Sequence, residues 1–131
     1  MFIINGSFLC RNLTGIERFA FEICKQLDLL IKKDEIWMYI PQNSKTVPEY
    51  KNIKVVISNK LLKNFPLWDH FIFSRFVKKH QGVSLDFSNI TPLFNPGFVF
   101  LHDIYAKLYP EDFKSFKDRL RKTYMCFMYK H

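Results

Sequence analysis

The segment Ile36–Ile40 constrains the fold of this chain more than any other part of the sequence. It is an apolar run, Ile-Trp-Met-Tyr-Ile, and it stops at Pro41. An unbroken apolar run of this length is typical of a strand buried on both faces, as in a parallel sheet with helices on its two sides. Residues 2–5 and 53–57 form two more strand-like runs, and the second of them is rich in β-branched residues.

Between these runs the apolar residues change to helical spacing. They recur every three or four positions from Ile16 to Ile31, which predicts an amphipathic helix that starts after Gly15. Thr14 and Glu17 have the spacing of a capping box, and this spacing predicts Thr14 as the N-cap of the helix.

Further helices and strands continue the alternation. The predicted helices cover residues 67–80 and 113–128, and the predicted strands cover residues 83–87 and 98–101. On the helix of residues 67–80, the side chains expected to face inward are Trp68, Phe71, Ile72 and Phe76. The pattern predicts an α/β fold, a Rossmann-like parallel sheet flanked by helices.

The composition of the 131 residues excludes several classes of protein. Hydrophobic residues make up 48% of the chain and include 15 Phe, which excludes an intrinsically disordered chain. No apolar run reaches the roughly 18 residues of a transmembrane helix, and no leader peptide opens the chain, so we expect a cytoplasmic protein. Cys10, Cys24 and Cys126 match neither a disulfide framework nor a zinc motif, and we expect reduced thiols.

The net charge of +8 indicates an anionic partner. Residues 106–131 contain seven Lys and Arg against three acidic residues, so half of the excess lies in the last predicted helix. Two interpretations of this basic helix stay open. Either it lies against anionic lipid headgroups or another polyanion, or it packs on the core and exposes a solvated basic face.

In a parallel sheet flanked by helices, ligands bind beyond the carboxyl ends of the strands. Two segments are expected at that edge: Thr14 with Gly15 after the first strand, and His102 with Asp103 after the fifth. A helix N-terminus offers free backbone N–H groups to an anion, so the loop of Thr14 and Gly15 is a candidate phosphate site. The alternative is a glycine that serves only the geometry of the turn.

His102 is the histidine placed where catalysis would be expected, and an imidazole that is neutral at physiological pH suits such a role. The alternative is a strand-end histidine whose ring bonds to a backbone carbonyl. Asp103 either orients His102 or caps the next turn. Arg18 is either a ligand contact or a solvated charge at the helix start.

The remaining histidines and the absent motifs narrow the chemistry. His70, His80 and His131 are expected at the surface. The sequence has no Walker loop, no dinucleotide fingerprint and no Gly-x-Ser-x-Gly elbow. It also has no His-x-x-x-His, Cys-x-x-Cys or Asp-x-Asp, so no metal site is predicted.

Three stretches, taken together, resemble the N-terminal domain of the family-4 glycosyltransferases, which are retaining enzymes of the GT-B fold. Residues 4–9 and 13–19 are similar to the family's first strand and glycine loop. Residues 66–70, Pro-Leu-Trp-Asp-His, are similar to a helix that the family often writes as Leu-Trp-Glu-Gln. Residues between 86 and 104 resemble a strand, a loop and a histidine–aspartate strand end of the family.

The resemblance implies an enzyme that transfers a sugar from a nucleotide-diphosphate sugar to a glycan or lipid-linked acceptor, in the assembly of a surface polysaccharide such as capsule or O-antigen. Thr14 and Gly15 would approach the donor phosphates, and His102 would lie beside the transferred sugar. Asp103 and Arg18 are accessory candidates, and acceptor contacts would come from this domain. The resemblance implies no cofactor or metal, because helix dipoles and basic side chains stabilise the leaving diphosphate.

The resemblance covers nearly the whole chain but not a whole enzyme. Residues 1–131 correspond to a partial, acceptor-side N-terminal domain without the C-terminal donor-binding domain, so we expect this truncated chain to be inactive alone, with an apolar patch exposed on its last helix. We expect a cytoplasmic location with peripheral contact at the inner face of the membrane, and no nucleic-acid partner. The alternative is a non-enzymatic basic module that binds anionic membrane or nucleic acid.

Overall fold

A computed structural model describes residues 1–128, which build a five-stranded sheet whose neighbouring strands all run parallel. The strands are β1 (Phe2–Asn5), β2 (Ile36–Ile40), β3 (Lys54–Ile57), β4 (Val83–Asp86) and β5 (Phe98–Val99). Their order across the sheet is β3-β2-β1-β4-β5. The predicted α/β fold, a parallel sheet flanked by helices, is confirmed.

Helices connect the strands and follow the sheet. They are α1 (Ile16–Leu30), α2 (Phe65–Leu67), α3 (Ser74–Lys79), α4 (Tyr105–Leu108) and α5 (Phe116–Met128). A π-helical segment, Trp68–Phe73, joins α2 to α3, and short 3₁₀ turns cover Gly6–Cys10 and Pro110–Asp112. Every helix within residues 1–128 is too short or too polar to span a lipid bilayer.

Two apolar cores lie on opposite faces of the sheet. Ile4 and Met38 belong to one core, which packs against α1, and Ile3 and Tyr39 belong to the other, which packs against the π-helical segment and α3. Because successive side chains of a strand point to opposite faces, β1 and β2 supply both cores at once. This arrangement explains the unbroken apolar run in β2.

The helix predicted for residues 67–80 begins earlier, at Phe65, and its first half is wound differently. Hydrogen bonds in a π-helix run from residue i to residue i+5, so side chains shift around the helix axis relative to an α-helix. The predicted inward position of Phe71 is therefore wrong, because this side chain is 56% exposed. Trp68 is buried as predicted, and Phe73 is fully buried beside it.

The start of α1 also differs from the prediction in one respect. The helix begins at Ile16, but its N-cap is Gly15, at φ +52°, and no side chain caps the first turn. The prediction of Thr14 as the N-cap is wrong, because glycine itself occupies the cap position. The Glu17 carboxylate, free of any capping bond, accepts a hydrogen bond from the Arg11 guanidinium at 3.2 Å.

Asp28 fastens the segment before β3 to the second half of α1. Its carboxylate accepts hydrogen bonds from the backbone N–H groups of Lys51, Asn52 and Ile53 at 2.8, 2.7 and 2.7 Å. Only 7% of the residue is exposed. Burial acts to raise the pKa of Asp28, but the three N–H donors outweigh it and lower the pKa below its usual range.

We expect the substitution Asp28→Ala to lower the free energy of unfolding by about 3 kcal/mol, because it leaves the three N–H groups without their acceptor. Urea denaturation at pH 7 measures the difference, with the exposed Glu49→Ala on the same segment as the control. The lowered pKa means that this stabilisation is present above about pH 4 and is lost on acidification. An unchanged urea midpoint for Asp28→Ala would contradict the assignment.

Candidate functional site

A cavity of about 430 Å³ opens at the carboxyl edge of the sheet. Its walls come from the 3₁₀ turn after β1, the first turn of α1, the residues around α2, the loop after β4, and α5. β1 lies between β2 and β4, so this is the point at which the strand order reverses. In open α/β sheets that reversal leaves a crevice in which ligands bind. The position of the cavity therefore matches the edge predicted from the sequence.

Charged side chains of both signs line the cavity, namely Arg11, Glu17, Asp69 and Arg121. The Arg11 guanidinium lies 3.9 Å from the centre of the Phe65 ring and bonds to Glu17, which fixes its position. Arg121 is exposed and forms no ion pair with any residue of the described part of the chain. One guanidinium is thus held in place, and the other is available to an anionic group.

A buried polar cluster lies beneath the cavity at the end of β1, and we call it the Asn5 cluster: Asn5, Trp68, Asp69 and Asp86. The Asn5 amide donates to Asp69 Oδ1 at 2.7 Å and to Asp86 Oδ1 at 2.8 Å. Its oxygen accepts from Trp68 Nε1 at 2.9 Å and from the Ser7 backbone N–H at 3.2 Å. The amide thereby uses its full capacity of two donors and two acceptor sites.

The two carboxyl groups of the Asn5 cluster share one amide, and burial acts on the pKa of both. Burial raises the pKa of Asp69 to about 6, against the opposing effect of its bond to Asn5. Burial also raises the pKa of Asp86 well above its usual range, and the nearby Asp69 charge raises it further. Two adjacent buried carboxylates cannot both ionise cheaply. At pH 7 we therefore expect an ionised Asp69 beside a protonated Asp86.

Two further side chains, His70 and Tyr124, form a hydrogen-bonded pair, and Tyr124 of this pair lines the cavity. His70 Nδ1 accepts from the Leu93 backbone N–H at 3.3 Å, so the ring proton lies on Nε2 and is donated to the Tyr124 oxygen, 2.7 Å away. Burial lowers the pKa of His70 and raises that of Tyr124 to about 12. Both side chains are consequently neutral at pH 7.

The prediction that His70 lies at the surface is wrong, since the residue is buried. The loop at Leu93 and helix α5 contribute its hydrogen-bond partners, and Tyr124 is 54 residues away along the chain. The periodicity of a single helix cannot show such a partner. His80 is half-buried against Trp37, and His131 lies outside the described residues.

The predicted phosphate loop lies next to the cavity but does not line it. Ile16 and Glu17 are lining residues, whereas Thr14, Gly15 and Arg18 are exposed and are not. A Cβ atom at Gly15 would meet nothing within 4 Å, and its φ of +52° is one that favours glycine. The geometry of the turn is therefore sufficient to account for this glycine, as in the alternative interpretation.

His102 is placed as the strand-end alternative describes. Its Nε2–H donates to the Phe87 carbonyl at 2.8 Å, its backbone N–H donates to Asn89 Oδ1, and its ring packs edge-on against Phe19. This tautomer leaves Nδ1 as an acceptor with no partner among residues 1–128. Asp103 Oδ1 accepts from the Tyr105 backbone N–H at 3.1 Å, which is the capping role.

Other features of the described residues do not form a second candidate site at the carboxyl edge of the sheet. No group of three His, Cys, Asp or Glu side chains within residues 1–128 could hold a metal ion. The three cysteines are unpaired thiols, as predicted. A wider cavity of about 550 Å³ adjoins His70 and the loop of residues 93–95, but none of its lining residues comes from the end of β1.

Sequence reasoning missed Arg11, Asp69 and Tyr124, although one signal was present. Asp69 is a charged residue in an otherwise apolar helical segment, which indicates a buried partner or a site. Its partner Asn5 is 64 residues away, so the pairing itself leaves no local pattern.

Comparisons with known proteins provide no relative from which the role of this cavity could be inferred. The chain matches no family model, no curated protein and no solved structure at a significant level. The candidate site therefore depends on the topology of the sheet, the lining of the cavity and the hydrogen bonds beneath it.

Proposed function

We propose that this chain is the acceptor-side portion of a glycosyltransferase, which passes a sugar from a nucleotide-diphosphate sugar to a glycan or lipid-linked acceptor in surface-polysaccharide assembly. The observation that carries the proposal is the cavity where the strand order reverses. Concave sites with a few convergent polar groups are where such sheets bind small molecules. The stretches that resemble family-4 glycosyltransferases, residues 4–9, 13–19, 66–70 and those between 86 and 104, supply most of the lining.

The chemistry of the cavity supports a hydroxyl-rich substrate with an anionic group. Asp69 and Asn89 offer polar contacts to hydroxyl groups, and Arg121 offers a guanidinium to a phosphate or carboxylate. In this proposal His102 Nδ1 accepts from the transferred sugar, and the N-terminus of α1 at Gly15 faces the donor phosphates. A separate donor-binding domain would hold most of the nucleotide, and no resident cofactor is required.

Sugar transfer in the source cells tests the proposal. Extracts of wild-type cells and of a gene-deletion strain are incubated with radiolabelled nucleotide-diphosphate sugars, and label is counted in the lipid-extractable and polysaccharide fractions. We expect the deletion to abolish incorporation of one sugar and the intact gene to restore it. His102→Ala should restore about 1% or less, and His80→Ala should restore transfer fully. Equal incorporation of every sugar with and without the gene would refute the proposal.

A second candidate function, binding to anionic membrane, is favoured by the surface of α5. Phe116 and Leu120 are 82% and 64% exposed and lie about one turn apart on this helix. Lys117 and Arg121 follow them by one position each. A helix with large apolar side chains beside cations is suited to lie in a lipid headgroup layer.

For this candidate we expect the chain to sediment with phosphatidylserine-containing vesicles and to be released by salt. Because a buried Phe or Leu contributes about 2 kcal/mol, Phe116→Ser with Leu120→Ser should weaken vesicle binding at least tenfold. Leu29→Ser, which changes an exposed leucine of α1, is the matched control. Equal binding to pure phosphatidylcholine, or preference for an oligonucleotide, would count against the membrane role.

A further inference from the structure

Asp69 presents a free hydrogen-bond acceptor at the cavity wall. Only 2% of the residue is exposed, yet it is one of the residues that line the cavity. Its Oδ1 is occupied by the Asn5 amide, whereas its Oδ2 accepts no hydrogen bond from any residue in 1–128. A carboxylate oxygen in such a position has no internal partner, so the cavity is where its partner must come from.

Tyr124 presents a free donor in the same cavity. Its oxygen already accepts the Nε2–H of His70, because the Leu93 backbone N–H fixes the other ring nitrogen as an acceptor. The hydroxyl proton of Tyr124 therefore points away from His70, and no described residue accepts it. Since Tyr124 lines the cavity, this proton is available to a ligand there.

The acceptor and the donor belong to two residues that line the same cavity. Asp69 and His70 are consecutive residues, and the His70 ring bonds to Tyr124 at 2.7 Å. The Asp69 carboxylate is also near enough to Tyr124 for its charge to raise the pKa of the Tyr124 hydroxyl. No hydrogen bond joins Asp69 directly to Tyr124, so each keeps its capacity for a third group.

We propose that one hydroxyl group of the acceptor sugar binds between Asp69 and Tyr124. A sugar hydroxyl both donates and accepts, so its proton goes to Asp69 Oδ2 while its oxygen accepts from the Tyr124 hydroxyl. This inference rests on the proposed function and names how the acceptor is recognised. A ligand without that hydroxyl leaves a buried carboxylate unpaired, and for this reason the pair selects for the hydroxyl.

Binding of methyl glycosides to the chain tests the inference. Methyl glycosides of glucose, galactose, mannose and N-acetylglucosamine are titrated by saturation-transfer NMR against the wild type and its variants. We expect Asp69→Asn and Tyr124→Phe each to lower the affinity for the tightest-binding of these glycosides at least tenfold. Asp86→Asn, in the same cluster but away from the cavity lining, and the exposed Tyr109→Phe should bind as the wild type does.

Deoxy sugars separate recognition from a merely structural effect. Asparagine at position 69 keeps a side-chain oxygen that can accept from the Asn5 amide, so we expect this variant to fold. NMR spectra of its backbone amides check that the fold is unchanged. One monodeoxy form of the probe should bind the wild type at least tenfold more weakly than the parent glycoside does. The substitution Asp69→Asn should cause no further loss of affinity for that deoxy form. Such coupling arises only when Asp69 and the missing hydroxyl touch.

Three outcomes decide between the possibilities. If wild type, Asp69→Asn and Tyr124→Phe bind the probe equally, or if the wild type binds none of the probes, the inference is overturned even when transfer in cells depends on the gene. If the coupling is present but transfer does not depend on the gene, the proposed function fails and the inference survives as a sugar-binding cavity. Coupling together with gene-dependent transfer supports both.

Discussion

The substitution Asn5→Leu is expected to prevent stable folding, with a loss of about 5 kcal/mol or more, comparable to the whole stability of a small domain. Leucine is similar in size to asparagine but can form none of the four hydrogen bonds of the Asn5 cluster. The substitution would leave three side chains buried without a hydrogen-bond partner at this position, namely Trp68, Asp69 and Asp86. Each buried group left unsatisfied costs about 1–3 kcal/mol, and more if it is charged.

Circular dichroism and urea denaturation at pH 6 measure this loss. Asn12→Leu is the matched control, because Asn12 is exposed and its side chain bonds only to Lys45. We expect the control to unfold cooperatively within about 1 kcal/mol of the wild type. A cooperative transition for Asn5→Leu near the wild-type midpoint would mean that the Asn5 cluster contributes little to the fold.

The second large effect concerns pH: Asp69→Asn is expected to stabilise the chain increasingly as the pH rises from 4 to 7. Burial raises the pKa of Asp69 from its usual 3.8 to about 6, so the folded state holds a proton that the unfolded state has released. The contribution of Asp69 to wild-type stability should therefore be largest near pH 4 and should fall as the pH rises towards 6. At 1.36 kcal/mol per unit, the fall is on the order of 3 kcal/mol.

Unfolding free energies at pH 4, 5, 6 and 7 provide the measurement. The advantage of Asp69→Asn over the wild type should grow across this range, and Asp86→Asn should show an advantage that extends to higher pH. Asp28 acts in the opposite direction below about pH 4, and His70 does so below its usual pKa of 6.5. Both residues are present in the wild type and in Asp69→Asn, so their contributions cancel in the difference between the two. Glu49→Gln, at an exposed carboxyl group, should run parallel to the wild type. Parallel curves for Asp69→Asn and wild type would disprove the shift.

The sheet was predictable because its signal is local. β2 and the middle of β1, Ile3 and Ile4, lie in a sheet covered on both faces and are thus apolar, and turn residues such as Pro41 mark the strand ends. The π-helical segment leaves no comparable signal, since its apolar residues also fit an α-helical period. The error at Phe71 follows from that ambiguity.

The position of the site in the fold was predictable from the sequence, but the side chains that form it were not. The topology of alternating strands and helices puts the segments after β1 and β4 at one edge, whatever side chains they carry. The Asn5 cluster and the His70–Tyr124 pair depend instead on contacts between residues 54 to 81 positions apart. Such contacts leave no periodicity in a single sequence, which explains why His102 was singled out and Asp69 was not.

The central position of β1 has a consequence for how the chain is made. β1 is synthesised first, yet it lies between β2 and β4, and the bond from Asn5 to Asp86 spans 81 residues. Long-range parallel pairing is slow to form and leaves apolar segments open to misassembly meanwhile. On the ribosome, Phe2–Asn5 can pair with β2 early, but its other edge stays uncovered until the 81 residues from Asn5 to Asp86 have been translated. We expect the nascent chain to depend on chaperones during that interval.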